Sequence, residues 1–341
     1  MYLNKTIIAG PCSAESEEQV LETARLLAGS GVDYFRAGLW KPRTAPGCFE
    51  GVGARGIPWL QRVKRELGLP ICTEVAFKEH VELCLEAGFD LLWIGARTTA
   101  NPFLVQELAD ALRGSDVTVL VKNPINPDLQ LWLGAVERLR RAGLEKVGVI
   151  HRGFSSYERI RYRNAPGWQI AMELREMHPD IPFYIDPSHM AGRAALVPEA
   201  AQHALALGID GLMVEVHCKP AEALSDARQQ LTPEEFLRML RELHIRSDES
   251  SDPAVRMALD ACRSEMDMLD ERIVDLLSDR MEISRRLGAL KKENDLSIIQ
   301  ADRWKAVVAN VCSRARAVGL REDFAKSVFS IIHDASIDEQ N

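Results

Sequence analysis

The stretch PICTEVAFKEHVELCLEAGFDLLWIG, residues 70–95, decides the fold. Two short apolar runs, Pro70–Val75 and Asp90–Gly95, flank the amphipathic segment Lys78–Ala87, and Gly88 follows that segment where a helix prefers glycine just past its end. This is a strand–helix–strand unit, and it recurs in both directions along the chain. Further strand-like runs lie at Thr6–Gly10, Val32–Gly38, Thr118–Asn123, Lys146–Arg152, Pro182–His189 and Gly211–His217, with amphipathic stretches such as Glu17–Ala28, Pro127–Arg141 and Arg193–Leu207 between them. Gly31, Gly68, Gly143 and Gly208 repeat the terminal glycine. Eight strands, each followed by a helix, over about 240 residues is the arithmetic of a (β/α)8 barrel, the α/β TIM-barrel class. An open doubly wound sheet is the alternative, but the first strand leads into GPCSAES, which has no GxGxxG phosphate loop.

The whole chain is 341 residues, more than one ordinary domain, with 46% hydrophobic and 27% charged residues, which excludes wholesale disorder. No apolar run approaches the roughly 18 residues of a spanning helix, so no membrane role is expected. The start, MYLNKTIIAGPCSAES, lacks a basic region followed by a long apolar stretch, so no signal peptide is expected. The cysteines number seven and form no CxxC pair, and reduced thiols in a cytoplasmic protein are the corresponding expectation. A net charge of −8 argues against general nucleic-acid binding. It leaves room for local basic clusters that bind small anions.

Chemistry in such barrels sits at the C-terminal ends of the strands. Those ends read Cys12; Arg36 with Lys41 beyond it; Glu74; Arg97; Lys122; His151 and Arg152; His189; and Glu215 with His217, Asp226 lying in the loop that follows. The residues sort by type. Arg36, Lys41, Arg97, Lys122 and Arg152 come from strands two, four, five and six. The metal-ligand types Cys12, His189, Glu215 and Asp226 come from strands seven, eight and one, which become neighbours when the barrel closes. A lone cysteine is more often a small core residue than a ligand, and single lysines and arginines after strands are usually solvated. The weight comes from all of these positions falling at one end of eight strands. His217 is a rival ligand, because period-two alternation puts it on the face of Glu215. Clustered cations make sense where phosphate and carboxylate groups bind. One thiolate, one imidazole and two carboxylates suit Mn²⁺, Fe²⁺, Co²⁺ or Zn²⁺ better than Mg²⁺ or Ca²⁺.

Seven motifs in order carry a family resemblance: GPCSAE (10–15), FRAGLWKPRTAP (35–46), GART (95–98), VKNP (121–124), HRG (151–153), DPSHMAG (186–192) and EVHCKPAEALSDARQQL (215–231). They resemble 3-deoxy-D-arabino-heptulosonate-7-phosphate (DAHP) synthases of the compact microbial subtype over about residues 5–240. The resemblance implies a metal held by Cys12, His189, Glu215 and Asp226. It implies phosphoenolpyruvate held by Arg36, Lys41, the Ala96–Arg97 pair, Lys122 and Arg152, and erythrose 4-phosphate contacted by Pro42, Arg43, Thr44 and the metal. Lys41, beside the sugar-binding residues, is the expected proton-transfer group. The related 3-deoxy-octulosonate-phosphate synthases, which take a five-carbon sugar, carry a KANR-type segment where this chain has Lys41-Pro42-Arg43-Thr44.

Composition shifts at HIRSDESSDP, residues 244–253, which reads as a linker between a barrel at 1–243 and a helical domain at 254–341. Leu259, Cys262, Met266, Leu269, Ile273, Leu276, Ile283, Leu287 and Leu290 then recur at three–four spacing on one helix of roughly 60 Å, from Ala254 to Glu293. Shorter helices are expected at 301–317 and 321–336. Three such helices cannot cover the seam, so a homodimer is expected. Arg280 interrupts the seam and needs an anionic partner there, either a carboxylate or a ligand.

The order Arg263, Asp270, Arg280, Lys291, Arg303, Ser336, Gln340, with GLREDF and IIHDASIDEQ, resembles the all-helical chorismate mutase domain. That resemblance implies a shared site in a dimer, with Arg263 supplied by the partner chain. Arg263 and Arg280 would bind the two carboxylates of chorismate and Lys291 and Gln340 its ether oxygen, while Gln300, Arg303 and Ser336 complete the pocket. Some members carry Glu directly after the arginine equivalent to Arg303, and here Trp304 stands in its place. The combined expectation is a bifunctional enzyme whose helical domain also senses prephenate. The alternative is a synthase with a non-catalytic effector-binding and dimerisation module.

Overall fold

A computed structural model describes residues 4–43, 46–157, 160–245 and 252–340. The chain divides into two compact units, Met1–Arg246 and Ser247–Asn341. The division falls within the acidic segment expected to be a linker, of which residues 246–251 lie outside the described residues.

The first unit alternates strand and helix: β1 (Thr6–Gly10), α1 (Glu17–Leu27), β2 (Tyr34–Arg36), α2 (Ile57–Leu67), β3 (Ile71–Val75), α3 (Lys78–Glu86), β4 (Leu91–Ile94), α4 (Ala96–Thr99), α5 (Pro102–Ala111), β5 (Thr118–Lys122), α6 (Leu129–Arg141), β6 (Val147–His151), α7 (Trp168–Met177), β7 (Phe183–Ile185), α8 (Pro187–Ala191), α9 (Val197–Leu205), β8 (Gly211–Glu215) and α10 (Pro233–Glu242). The strands form a closed parallel barrel in sequence order. β8 closes on β1 with Thr6 opposite Gly211 and Gly10 opposite Glu215. Local signals set the helix ends. Asn101 caps α5, Asp128 caps α6, and Thr232 with Glu235 forms a capping box on α10.

β7 is shorter than the run Pro182–His189 suggests. The Asp186 side chain accepts the backbone N–H of His189, and Pro187 stands in the first turn, so DPSH starts helix α8 where apolarity alone reads as strand. His189 is therefore presented from a helical turn. β8 likewise stops at Glu215.

Two cores result from the alternation of the strands. Ile8, Cys72, Leu91, Trp93, Leu120, Ile150 and Met213 fill the barrel interior, and a larger cluster, including Ala9, Leu92, Val119, Val149 and Leu212, packs the outer strand face against the helices.

The second unit contains α11 (Pro253–Glu293), α12 (Ala301–Ala317) and α13 (Glu322–Asp338). Asp252 caps α11 by accepting the N–H of Ala254, with Pro253 in the first turn. The seam side chains stay uncovered: Leu259, Met266, Leu269, Ile273, Leu276, Ile283, Leu287 and Leu290 are 43–66% exposed. Gly288 marks where α11 meets the far end of the unit. A Cβ there would lie 2.6 Å from the carbonyl oxygen of Gln340, so only glycine allows this approach.

Candidate functional site

Period-two alternation carries the interior of the barrel into its mouth. Two residues beyond the interior Met213 comes Glu215, beyond Cys72 comes Glu74, beyond Leu120 comes Lys122, and beyond Ile150 comes Arg152. Tyr34 and Tyr184, which pack against the same interior cluster, lead likewise to Arg36 and Asp186. Gly95 ends β4 because Glu74 leans across it; a Cβ there would stand 2.1 Å from Glu74 Oε1.

Donor atoms of Cys12, Glu215 and Asp226 all lie within 4.8 Å of one another. His189 Nε2 lies 3.6 Å from Glu215 Oε1 and 3.7 Å from Asp226 Oδ2. Donors about 2.0–2.3 Å from a common ion have separations of this size, so Cys12, Glu215 and Asp226 form a candidate metal site, with His189 bordering it on the Glu215 and Asp226 side. His189 Nδ1 is taken by Asp186 Oδ2 at 2.8 Å, which leaves Nε2 facing Glu215 and Asp226. His217 does not join them. Its Nδ1 accepts the backbone N–H of Lys219 at 2.8 Å, which puts the proton on Nε2, and that nitrogen faces Glu15 at 3.7 Å. The bend after Glu215 separates two residues that regular alternation would place together.

The loops carrying these groups are tied together. The Cys12 N–H donates to Gln230 Oε1 at 3.0 Å, the hydroxyls of Ser13 and Ser225 are 2.6 Å apart, and the Leu224 N–H donates to Glu15 Oε1 at 2.8 Å. Burial, then the charge of Glu215, pushes the Cys12 thiol up to about 12. This sulfur keeps its proton at neutral pH until a cation takes the proton's place. Burial alone would lower the ammonium of Lys41 and raise the carboxyl of Asp226. The Cys12 sulfur in its thiolate form, and the carboxylates of Glu215, Glu74 and Asp226, act against burial to raise the Lys41 ammonium above its usual value, and His189, Lys41 and Arg163 hold Asp226 below its own. Lys41 Nζ lies 3.0 Å from Cys12 Sγ.

A cavity of about 260 Å³ opens above this group, and Lys41, Pro42, Arg43, Ala96, Arg97, Lys122, Arg152, His189 and Asp226 line it, together with Cys48, Glu74 and Arg163. Thr44 lies outside the described residues. Arg36 lies below the cavity, fully buried, with Nη2 3.0 Å from Glu215 Oε1 and its plane 5.0 Å from the Trp93 ring. Its Nε and Nη1 have no hydrogen-bond acceptor. Burial depresses the Arg152 guanidinium to about 10. Three residues of the site had no assigned part in the sequence reading. Asp186 joins Lys122 Nζ, at 2.7 Å, to His189, and an acidic residue three before a candidate histidine at a helix start is the available signal. Glu74 stands at a strand end, where its spacing names no partner, and accepts Trp93 Nε1–H at 3.1 Å. Arg163 reaches Asp226 at 3.2 Å from a loop that has no periodic address.

In the helical unit, Arg280 donates to Ser336 Oγ and to the carbonyl of Ile332. In place of the expected anion, it meets a hydroxyl and a carbonyl. Lys291, buried, donates to Gln340 Oε1 at 2.9 Å and to the Ile298 carbonyl at 2.7 Å. Arg280, Ser336, Gln340 and Lys291 form one linked chain of contacts, since Gln340 Nε2 donates to the Ser336 carbonyl. Arg263 pairs with Asp260, one turn away on an exposed face. Gln300 and Arg303 are exposed at the start of α12, and Trp304 stacks on His333 with centroids 4.1 Å apart.

Fold and cavity define a (β/α)8-barrel protein with a candidate metal site beside a cavity lined by Lys41, Arg97, Lys122 and Arg152, followed by a helical domain. Residues 3–249 match the DAHP synthetase I family and residues 262–341 match chorismate mutase type II. The chain is 32% identical over 243 residues to the phospho-2-dehydro-3-deoxyheptonate aldolase of Thermotoga maritima, covering 71% of this chain and 70% of that one. A crystal structure of the Thermotoga maritima enzyme superposes with a TM-score of 0.62 at 32% identity, over 70% of this chain and 68% of that one. The 2-dehydro-3-deoxyphosphooctonate aldolase of Nitratidesulfovibrio vulgaris is 30% identical over 252 residues, covering 70% of this chain and 90% of that one. The chain belongs to the DAHP synthetase I family, and it carries a DAHP synthase domain followed by a chorismate mutase domain.

Proposed function

We propose that the barrel condenses phosphoenolpyruvate with erythrose 4-phosphate to give DAHP and inorganic phosphate. The observation that carries this reading is the shared cavity: Lys41, Arg97, Lys122 and Arg152 line the same space as His189 and Asp226. Cys12, His189, Glu215 and Asp226 would hold one Mn²⁺, Fe²⁺, Co²⁺ or Zn²⁺ ion. When bound, such an ion supplies Lewis-acid polarisation of the sugar aldehyde. Lys122, Arg152, Arg97 and the buried Arg36 bind the phosphate and carboxylate of phosphoenolpyruvate, and the unpaired donors of Arg36 suit an oxyanion. Pro42, Arg43 and Thr44 position the sugar phosphate. The C3 carbon of phosphoenolpyruvate bonds to the aldehyde carbon, and Lys41, held as an ammonium, delivers a proton to the aldehyde oxygen. Water adds at C2, the C2–O bond breaks, and phosphate leaves. The surrounding cations stabilise the charge that develops.

The helical domain converts chorismate to prephenate. Arg280, Lys291 and Gln340 come together within one chain, whereas Arg263 lies on the uncovered face about 26 Å along α11 from Arg280. Antiparallel pairing of two copies through that face would bring the partner chain's arginine to the site and bury the apolar seam. No nucleophile is needed. Arg263 and Arg280 hold the two carboxylates in a compact conformer, Lys291 and Gln340 stabilise the ether oxygen as the bond breaks, and Gln300, Arg303 and Ser336 complete the wall. Prephenate bound there would act as a feedback effector on the barrel of this cytoplasmic enzyme.

The test is incubation with both phosphorylated substrates while following the enolpyruvate absorbance, with and without EDTA. Loss of absorbance should require both substrates, stop with EDTA and return with added metal. Faster turnover with arabinose 5-phosphate would overturn the substrate assignment. A full-length protein that leaves chorismate unconsumed would make the helical domain a binding module.

A further inference from the structure

We propose that Asp186 is a positioning residue through which anion binding at Lys122 tightens the metal site. The inference rests on the reading of the cavity given above. Asp186 is fully buried, and its carboxylate serves two centres at once. Oδ1 accepts the backbone N–H of His189 at 3.0 Å, and Oδ2 accepts both His189 Nδ1–H at 2.8 Å and Lys122 Nζ at 2.7 Å. Arg36 Nη1 stands 4.0 Å from the same Oδ2. The bond to Nδ1 sets the ring orientation and leaves the Nε2 lone pair aimed at Glu215 and Asp226. A carboxylate in that position also makes the imidazole a stronger donor to a metal.

Sharing one oxygen makes the two bonds compete. While Lys122 holds Oδ2, part of the carboxylate charge is spent on the ammonium. Lys122 also lines the cavity, so an anionic substrate there draws the ammonium toward itself. The Lys122–Oδ2 bond weakens, more charge falls on His189, and the imidazole binds a metal more tightly. Linkage then requires that the metal tighten anion binding by the same factor. Direct attraction between metal and anion gives coupling of the same sign, so the test must isolate the carboxylate.

The measurement is the metal dissociation constant of the full-length protein, by competition with a chromophoric chelator, with and without phosphoenolpyruvate. The Co²⁺ absorption spectrum, with its thiolate charge-transfer band, reports whether Cys12 ligates in each variant. Phosphoenolpyruvate should tighten metal binding at least about fivefold in the wild type. Asp186→Asn should weaken metal binding roughly 10- to 100-fold and reduce the coupling to near one. Lys122→Met, measured without phosphoenolpyruvate, should tighten metal binding when Asp186 is present and leave it unchanged in the Asp186→Asn background. Coupling of wild-type size in Asp186→Asn, or an equal Lys122→Met effect in both backgrounds, would overturn the proposal in favour of direct charge attraction. The Lys122 cycle needs no substrate, so it decides the inference even where phosphoenolpyruvate fails to bind, a result that would refute the cavity assignment instead.

Discussion

Lys41 stands between the two chemistries of the barrel. Its ammonium lies on Cys12 and borders the cavity beside Pro42 and Arg43. Neighbouring negative groups hold it protonated, so it can donate a proton but is unsuited to remove one at neutral pH. Lys41→Met should lower synthase turnover roughly 100- to 10,000-fold, the usual range for losing a general acid. Metal stoichiometry, measured by elemental analysis, should stay at one per chain. Near-normal turnover would remove Lys41 from proton transfer. At this scale the sequence was legible where a residue has a strand to address it. Glu215, Lys122 and Arg152 each lie two positions beyond an interior residue. Arg163 and Asp186 were less legible because contacts across the barrel, made only after closure, give them their partners. His217 has the right residue type and spacing, yet its Nδ1 is taken by its own loop and it stands apart from Cys12, Glu215 and Asp226.

Elements were legible from periodicity, and their ends from caps. Eight strands and the long α11 follow from patterns of two and of three–four. The limit appears at β7, where the apolar run continues but the Asp186 cap ends the strand and α8 begins. An element-level prediction concerns the contact of α11 with the end of the helical unit. Gly288 admits the Gln340 backbone, and through it Gln340 reaches Lys291. Gly288→Ala should displace Gln340 by about an ångström and lower mutase kcat/KM roughly 100-fold, with synthase activity unchanged. Loss of the chorismate diene absorbance is the readout, and an unaltered rate would show that the contact has no catalytic consequence.

Two predictions concern the molecule as a whole. His151 is buried among Trp132, Phe154, Trp168 and Phe183, and desolvation depresses its imidazole from 6.5 to about 4. Well above pH 6.5 both folded and unfolded chains hold it neutral, and it adds no pH dependence there. As pH falls toward 4 the unfolded chain takes up a proton that the folded one refuses, so stability is lost, by about 3 kcal/mol over the whole window. Urea titrations between about pH 7 and 5 should show a slope shallower by one proton in His151→Gln, and parallel slopes would contradict the assignment. Removal of residues 244–341 should leave a synthase that prephenate no longer inhibits, and persistent inhibition would place the effector site in the barrel.

Cys12 and Asp226 are 214 residues apart in sequence and meet where the last strand pairs with the first. During synthesis on the ribosome, the sulfur emerges well before Asp226 and must wait for nearly the entire barrel before its companions exist. An ion held between them would therefore be captured late in the life of the chain, and a stalled or half-folded intermediate would lack the means to retain one.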